Sequence, residues 1–172
     1  MKPRRNSRRG FFMKKEIKLT SRISLINKKF KKNQFYHFLK TPEVSIIIPT
    51  IKNKFLLVSQ RREPINKITF EFPSGQIEKK ESPIKSASRE LLEETGYKSY
   101  KTKRLINFYS EAGRLSTKNY CFYTKKLKKI SNKEKGINTY LYSKAQIIKL
   151  IKQNKFNNSP HIAAFFFYLN LK

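Results

Sequence analysis

The sequence contains no tryptophan and no aspartate, so all 11 of its acidic residues are glutamates. It has a single cysteine, Cys121, which excludes an internal disulfide framework and is typical of a protein from a reducing compartment. No apolar run approaches the ~18 residues that a membrane-spanning helix needs. The longest run, residues 162–169, is better interpreted as a core helix. We therefore expect a cytoplasmic protein with no membrane partner.

The 172 residues are enough for one domain with a hydrophobic core, and 38% of them are hydrophobic. The formal net charge of +29 predicts attraction to nucleic acid or polyphosphates. The alternative is a composition bias, because the many Lys, Asn, Ile and Phe residues are typical of an A/T-rich coding sequence. The basic residues are spread along the chain, which favours the bias and leaves non-specific nucleic-acid binding as an alternative.

Residues 1–14 are strongly basic, and we interpret them as a disordered tail or a wrongly assigned start, with Met13 as the other start. Arg8-Arg9 superficially resembles a twin-arginine export signal. Because no apolar segment follows this pair, export is not expected. A nucleic-acid-binding arm is the alternative interpretation of this segment.

Side-chain alternation and β-branched content predict strands in most of the chain up to residue 142. Residues 15–42 are predicted to contain two antiparallel strands around a turn at Lys31-Lys32-Asn33. Residues 43–172 are predicted to form the main domain. This domain ends in two helices, at residues 143–153 and about 160–171.

The chain is organised around residues 75–97, which are predicted to form a loop followed by one short helix. Ser82 suits the N-cap, and Pro83 suits the first helical position, where a missing N–H costs nothing. Gly96 can adopt the left-handed conformation that ends a helix. The helix is therefore expected to begin at Pro83 and to end before Gly96.

At about 100° per residue, Glu90, Glu93 and Glu94 lie on one face of this helix, and Arg89 can pair with Glu93 one turn later. Carboxylates on one face repel one another unless a cation lies between them. Oxygen ligands of this kind suit Mg²⁺ or Mn²⁺. The alternative is a solvated acidic face, but more than half of the glutamates lie between positions 71 and 94 of an otherwise basic chain.

This stretch matches the signature of the Nudix hydrolase family at each fixed position, namely Gly75, Glu81 and the run Arg89-Glu90-Leu91-Leu92-Glu93-Glu94-Thr95-Gly96-Tyr97. The resemblance implies an α/β (α+β) Nudix fold, in which a mixed β-sheet lies between helices and a small antiparallel sheet precedes it. It also implies hydrolysis of a nucleoside diphosphate linked to another moiety.

Within the family the chain is most similar to the ADP-ribose pyrophosphatase branch, through the segments VSIIIPT, LLVSQRR and FEFPSG. This resemblance implies that the substrate is ADP-ribose or another ADP-sugar, cleaved to AMP and a sugar phosphate. It also implies a homodimer formed through residues 15–42. The chain departs from the branch at Ala112, where a proline is usual, and at Ser116-Thr117, where an acidic residue is usual.

The resemblance also assigns roles to individual residues. The expected ligands of Mg²⁺ or Mn²⁺ are Ser74 or Gly75 through a backbone carbonyl, together with Glu81, Glu90, Glu93 and Glu94. The expected catalytic residues are Glu93, Glu94, Arg89 and, as general base, Glu134 or alternatively Glu111. The expected substrate-binding residues are Arg61, Arg62 and Glu71, with Tyr36 or Phe38 near the adenine because tryptophan is absent.

Two other functions are compatible with the sequence. The first is a Nudix hydrolase that acts on RNA 5′ ends or dinucleoside polyphosphates, which the net charge of +29 supports. The second is a non-enzymatic, RNA-binding or ribosome-associated Nudix-like protein. The complete set of glutamates in the Nudix signature argues against the second function, because a purely structural role does not require them.

Overall fold

The computed structural model describes residues 14–31 and 34–171, so the predicted tail lies outside the described residues except for Lys14, as do Lys32 and Asn33 of the predicted turn. The strands of the described chain are β1 (Lys14–Lys18), β2 (Ser24–Lys31), β3 (Gln34–Lys40), β4 (Val44–Ile51), β5 (Lys54–Arg62), β6 (Lys67–Glu71), β7 (Ser74–Gln76), β8 (Tyr97–Tyr109), β9 (Lys118–Lys129) and β10 (Asn138–Tyr142). Its α-helices are α1 (Pro83–Thr95), α2 (Lys144–Lys152) and α3 (Ser159–Leu169).

The first three strands form a small antiparallel sheet in the order β1-β2-β3. The sequence predicted two strands here, and the structure has three, because the first predicted strand is broken after Lys18. The hydroxyl of Thr20 accepts hydrogen bonds from the backbone N–H groups of Arg22 and Ile23, which closes a turn inside the predicted strand. A local side-chain hydrogen bond of this kind competes successfully with strand continuation.

The main sheet is mixed and has seven strands among the described residues, in the order β10-β5-β4-β9-β8, with β6 beside β5 and β7 beside β4. The pair β4–β9 is parallel and the other pairs are antiparallel. Strands β4 and β5 pair only next to their turn, at Thr50–Phe55 and Ile51–Lys54. They then diverge, and β6 and β7 occupy the gap. The short strand β7 was not predicted, and β6 begins two residues before its predicted start at Thr69.

Helices cover both faces of this sheet, and the alternation of side chains along β4 shows how. Ile46 and Ile48 pack with the buried residues of α2 and α3. Ile47 packs on the opposite face with Ala87 and Leu91 of α1. The predicted arrangement of a mixed sheet between helices, with a small antiparallel sheet beside it, is therefore confirmed. None of the helices in the described part of the chain is long and apolar enough to cross a membrane.

A cluster of aromatic rings fixes α3 to the sheet. The side chain of Phe165 is completely buried, and its ring centroid lies 5.3 Å from that of Phe55, 6.4 Å from that of Phe72 and 6.3 Å from that of Phe156. The contact with Phe55 is edge-to-face and the other two are tilted, and aromatic pairs of this kind stabilise a core beyond the apolar area that they bury. The position of α3, and of the side chains at its start, therefore depends on this cluster.

We expect Phe165→Ala to lower the free energy of unfolding by about 3–5 kcal/mol, because it leaves a cavity between α3 and the sheet. The neighbouring Phe166 is 44% exposed, so Phe166→Ala is the matched control and should cost less than about 1 kcal/mol. Urea unfolding followed by circular dichroism measures both values. Equal losses in the two variants would show that Phe165 does not have this role.

Candidate functional site

Helix α1 begins at Pro83 and ends at Thr95, just before Gly96, as predicted. Gly96 adopts the left-handed conformation, with φ of 75°, and its N–H donates to the carbonyl of Leu92. A Cβ atom at this position would lie 2.2 Å from the carbonyl oxygen of Ser131, so glycine is required on steric grounds as well. Ser82 lies at the N-cap position, but its side chain makes no capping hydrogen bond.

The guanidinium of Arg89 joins the loop to the helix. It donates two hydrogen bonds of 3.0 Å to the carboxylate of Glu81, one of 2.7 Å to Glu90 and one of 2.9 Å to Glu93. It also donates to the backbone carbonyl of Gln76 at 3.2 Å. The predicted Arg89–Glu93 pair is thus part of a larger network, in which one cation neutralises carboxylates from both segments.

The carboxylates of Glu90 and Glu94 point toward the loop that precedes α1. A Cβ atom on Gly75 would lie 2.0 Å from a carboxylate oxygen of Glu90, so only glycine allows this close approach. The carboxylate of Glu94 accepts hydrogen bonds of 3.1 Å from the backbone N–H of Ser74 and from the amide of Gln60. Both glutamates are therefore held against β7 and β5.

Burial changes the acidity of these groups. It raises the pKa of Glu94 to about 8, a shift that the nearby Glu90 carboxylate increases and the hydrogen bond from Ser74 opposes. Burial also raises the pKa of Glu90, although Arg89 acts in the opposite direction. The pKa of Glu81 is lowered, chiefly by its hydrogen bonds from Arg89. A divalent cation near Glu90 and Glu94 would stabilise their ionised forms.

The donor set suits a hard cation, because it consists of carboxylate and backbone carbonyl oxygens without nitrogen or sulfur. No group of three or more acidic, histidine or cysteine side chains converges closely enough to hold a metal ion within residues 14–31 and 34–171. The reason is visible in the contacts, since Arg89 lies against Glu81, Glu90 and Glu93. The residue types therefore fit Mg²⁺ or Mn²⁺, while Arg89 balances their charge in this arrangement.

A second cation–carboxylate pair lies beside the first. Glu71 is completely buried and accepts hydrogen bonds from Nε and Nη2 of Arg62 and from the hydroxyl of Thr69. Burial opposes ionisation of Glu71, but these hydrogen bonds and its electrostatic partners outweigh burial and lower its pKa to about 2. The two-point contact fixes the plane of the Arg62 guanidinium.

His161, the third member of this group, was not predicted from the sequence. Its Nδ1 accepts a hydrogen bond from the backbone N–H of Phe72, and its Nε2 lies 3.3 Å from the carboxylate of Glu71. This pattern assigns the neutral tautomer with the proton on Nε2. Burial lowers the pKa of His161 to about 4. The sequence offered only one indication of a role for His161. It is one of two histidines in the chain, and it directly follows Pro160 at the start of the last predicted helix.

One cavity adjoins these groups, and a second cavity lies next to it along the loop between β8 and β9. The first, of about 340 Å³, is lined by Arg62, Ser74, Gly75, Asn119 and His161, among others. The second, of about 400 Å³, is lined by the aromatic side chains of Tyr36, Phe38 and Tyr109, with Ala112, Leu115 and Ser116. Ser110 and Thr117, which line the first cavity, follow directly on residues of the second. A ligand could therefore extend from one cavity into the other.

The loop between β8 and β9 forms one wall of the aromatic cavity and is joined to the small sheet. The backbone N–H of Leu39 in β3 donates to the carbonyl of Arg114, and that of Ser116 donates to the carbonyl of Leu39. The hydroxyl of Tyr36 donates to the carbonyl of Gly113. The N-terminal sheet thus supplies two of the aromatic side chains, Tyr36 and Phe38, and its strand β3 also holds the loop.

The remaining predicted residues do not line either cavity. Arg61 is exposed and pairs with Glu63 and Asn66, so of the two predicted arginines Arg62 lines the cavity. Glu134 is exposed in the loop before β10, and its backbone N–H donates to the carbonyl of Glu93 at 2.8 Å. The structure therefore brings Glu134 to the end of α1. Glu111 is exposed in the loop next to the aromatic cavity.

Comparison with known proteins agrees with this geometry. The model of the NUDIX domain matches residues 39–164. Over 70 residues the chain is 43% identical to a methanol dehydrogenase activator of Bacillus methanolicus and 39% identical to an ADP-ribose pyrophosphatase of Bacillus subtilis (strain 168), in each case covering 41% of this chain and 38% of the relative. Over 64 residues it is 42% identical to an ADP-sugar pyrophosphatase of Mus musculus, covering 34% of this chain and 29% of the relative.

The aligned regions thus span less than two fifths of these curated relatives. A solved structure entitled "Crystal structure of ADP compounds hydrolase" superposes with a TM-score of 0.77 over 91% of this chain and 90% of that one, at 17% identity. That superposition confirms the predicted fold. The relative from Bacillus subtilis confirms the predicted similarity to the ADP-ribose pyrophosphatase branch. Because the domain model covers more than half of the residues and the signature lies in its loop and helix, the chain belongs to the Nudix family.

Proposed function

We propose that this protein is a metal-dependent Nudix pyrophosphohydrolase that cleaves ADP-ribose or another ADP-sugar into AMP and a sugar phosphate. The observation that carries the proposal is the network in which Arg89 contacts Glu81, Glu90 and Glu93 beside the cavity at Gly75. The printed names of the relatives from Bacillus subtilis and Mus musculus support the substrate class.

Glu90, Glu93 and Glu94 would hold Mg²⁺ or Mn²⁺, with Glu81 and a backbone carbonyl of Ser74 or Gly75 as further ligands. A bound divalent ion supplies charge neutralisation at the diphosphate and a more acidic water. Arg89 keeps the carboxylates close together without the ion and orients them through its remaining contacts when the ion is present.

Arg62 would bind a phosphate of the substrate. Its guanidinium lines the cavity at Ser74 and Gly75, and Glu71 holds it through two hydrogen bonds. A guanidinium whose orientation is already fixed loses little side-chain entropy when it binds a phosphate. His161, which contacts Glu71 on the side of α3, acts as a positioning residue for this arginine.

The aromatic cavity suits the adenine of the substrate. Tyr36 and Phe38 come from the small sheet, with ring centroids 6.3 Å apart, and Tyr109 comes from the end of β8. Aromatic rings bind a planar base by stacking, so they replace the absent tryptophan. The proposed orientation therefore places the diphosphate near Arg62 and the base near β3.

Glu134 is proposed as the general base, with Glu111 as the alternative. The backbone contact with Glu93 places Glu134 near the end of α1, and Glu111 lies in the loop of the aromatic cavity. The work of the base would be to accept the proton of the attacking water. Comparison of the pH dependence of turnover in Glu134→Gln and Glu111→Gln separates the two candidates.

Removing one carboxylate of the network tests the reaction itself. We expect Glu94→Gln, and likewise Glu93→Gln, to lower the rate of Mg²⁺-dependent ADP-ribose hydrolysis by about 10²-fold or more, because a charge that stabilises the transition state is lost. Added Mg²⁺ should raise the melting temperature of the wild type more than that of Glu94→Gln. AMP release measured by chromatography and a thermal melt provide the two readouts.

The matched control is Glu63→Gln, because Glu63 is 80% exposed by its side chain and lies outside the network. It should retain wild-type turnover. Full activity in EDTA, or wild-type rates in both Glu93→Gln and Glu94→Gln, would contradict the proposal.

A panel of ADP-ribose, NADH, dinucleoside polyphosphates and 5′-triphosphorylated RNA identifies the substrate. Hydrolysis of RNA ends with negligible cleavage of ADP-ribose would show that the proposed substrate is wrong, but it would not change the assignment to the Nudix family.

The contact between His161 and Glu71 predicts a pH dependence of stability. His161 remains neutral in the folded state, with a pKa of about 4, whereas a histidine in the unfolded chain titrates near 6.5. As the pH falls from about 6.5 to 4, the unfolded state takes up a proton that the folded state does not. The stability advantage of the wild type over His161→Asn should therefore shrink in this range, by at most about 3 kcal/mol.

Urea unfolding at several pH values measures this difference. His37 is exposed on β3, so His37→Asn is the matched control and should follow the wild-type pH dependence. A constant difference between wild type and His161→Asn across this range would show that His161 is not held neutral by its surroundings.

In addition, His161→Asn should raise the KM for ADP-ribose more than it changes kcat if His161 positions Arg62.

We further propose a homodimer that forms through residues 15–42. Ile17 and Phe35 lie on the same face of the small sheet and are 43% and 48% exposed. A three-stranded sheet that exposes such apolar side chains is more stable when they are covered. Light scattering should give twice the 20.5 kDa mass of one chain, and the double variant Ile17→Glu/Phe35→Glu should give a monomer.

The control for the dimer is Ile68→Glu, because Ile68 is 63% exposed on β6, outside the small sheet. It should remain dimeric. A monomeric wild type at micromolar concentration would contradict the proposed assembly.

A further inference from the structure

The ends of β8 and β9 that lie farthest from the cavities carry a concentration of positive charge. We call residues 97–103 of β8 and 123–129 of β9 the basic ribbon. Its cations are Lys98, Lys101, Lys103, Lys125, Lys126, Lys128 and Lys129. Neither segment contains a glutamate. Among the ion pairs of the described residues, none involves a lysine of the ribbon.

The pairing of the two strands places like charges opposite each other. Lys98 lies opposite Lys128, and Lys101 lies opposite Lys126. Side chains in such positions are about 5 Å apart at their Cβ atoms, and like charges there destabilise a sheet. Lys14 is also opposite a lysine in the small sheet, but there a carboxylate oxygen of Glu16 lies 3.9 Å from the Lys14 ammonium. No glutamate within residues 14–31 and 34–171 makes such a contact with a lysine of the ribbon.

The lysines of the ribbon also surround a cleft. Lys101, Lys103, Lys125 and Lys126 line a cavity of about 220 Å³ together with Tyr123. All four lysines are exposed, so their ammonium groups can turn toward a ligand in the cleft. A cleft lined by charges of one sign concentrates ions of the opposite sign. The ligand that suits this cleft is therefore anionic.

Aromatic side chains alternate with these lysines. Tyr100 is 63% exposed, and the ammonium of Lys98 lies 5.9 Å from its ring centroid. The ring of Tyr123 in the cleft is supported from below by an edge-on contact with Tyr168 of α3, at 5.5 Å between centroids. Lysines that track a phosphate backbone and aromatic rings that stack on bases are the combination by which proteins bind single-stranded nucleic acid.

We propose that the basic ribbon binds single-stranded nucleic acid, with backbone phosphates in the lysine cleft and a base against Tyr100. The ribbon is separate from the proposed catalytic cavities, because Lys103 precedes Tyr109 of the aromatic cavity by about 20 Å of strand. The opposed lysine pairs and the cleft together extend over about 17 Å of strand, which exceeds the size of a single phosphate group. The inference does not depend on the proposed hydrolase activity.

Replacing the lysines of the cleft tests this proposal. The ribbon variant combines Lys101→Gln, Lys103→Gln, Lys125→Gln and Lys126→Gln. The matched control removes the same charge from the exposed lysines in and just after α2, by Lys144→Gln, Lys149→Gln, Lys152→Gln and Lys155→Gln. Circular dichroism and thermal melting first establish that both variants are folded. Fluorescence anisotropy with a labelled oligouridine then measures affinity over a range of salt concentrations.

We expect the ribbon variant to bind the oligouridine at least about 10-fold more weakly than the wild type, and its slope of log K against log salt to be smaller by up to about 3. The control variant should lose less than about 3-fold. Tyr100→Leu should weaken binding by about 10-fold while retaining the wild-type salt slope, because stacking releases no counterions. Equal weakening in the ribbon and control variants would overturn the proposal. Preferential, ribbon-dependent binding of vesicles containing phosphatidylserine would also overturn it.

Discussion

The site depends on a single guanidinium that neutralises carboxylates from two segments of the chain. Arg89 lies on a helix, whereas Glu81 lies in the loop before it, so their two hydrogen bonds fix the loop on the helix. The same guanidinium contacts Glu90, whose carboxylate lies against the Cα atom of Gly75. Without Arg89, several carboxylates would share one face of α1 with no counter-charge. The loop, the helix and β7 are therefore positioned by one electrostatic constraint.

A second group, formed by Arg62, Glu71 and His161, uses the same principle in a drier environment. Because Glu71 is completely buried, its charge is tolerated only with hydrogen bonds from several directions. The strand β6 connects this group to the loop of the first one, since Glu71 is followed within three residues by Ser74. Arg62 of this group lines the cavity at Gly75, against which Glu90 of the first group lies, and α3 contributes to the same cavity through His161.

The sequence predicted the parts of the site that are local in the chain, and it missed those that arise from distant contacts. The residues Ser82, Pro83 and Gly96 identified the start and end of α1, and spacing identified the pair of Arg89 and Glu93. The strand β7 was missed because three residues that include Gly75 have no strand pattern, and they pair only because β4 diverges from β5. His161 was missed because its partners lie 89 and 90 residues away in the chain. The turn at Thr20 depends on a side-chain hydrogen bond that strand propensity does not include.

The hydrogen bonds between β3 and the loop at residues 113–116 have a consequence for cooperativity. A ligand in the aromatic cavity contacts both segments, so its binding would restrict the motion of each relative to the other. Any change of the small sheet that alters β3, such as pairing with a second chain, would then change the affinity of the cavity. Thermodynamic linkage requires the reverse effect to have the same free energy, so occupation of the cavity would strengthen that pairing by an equal amount.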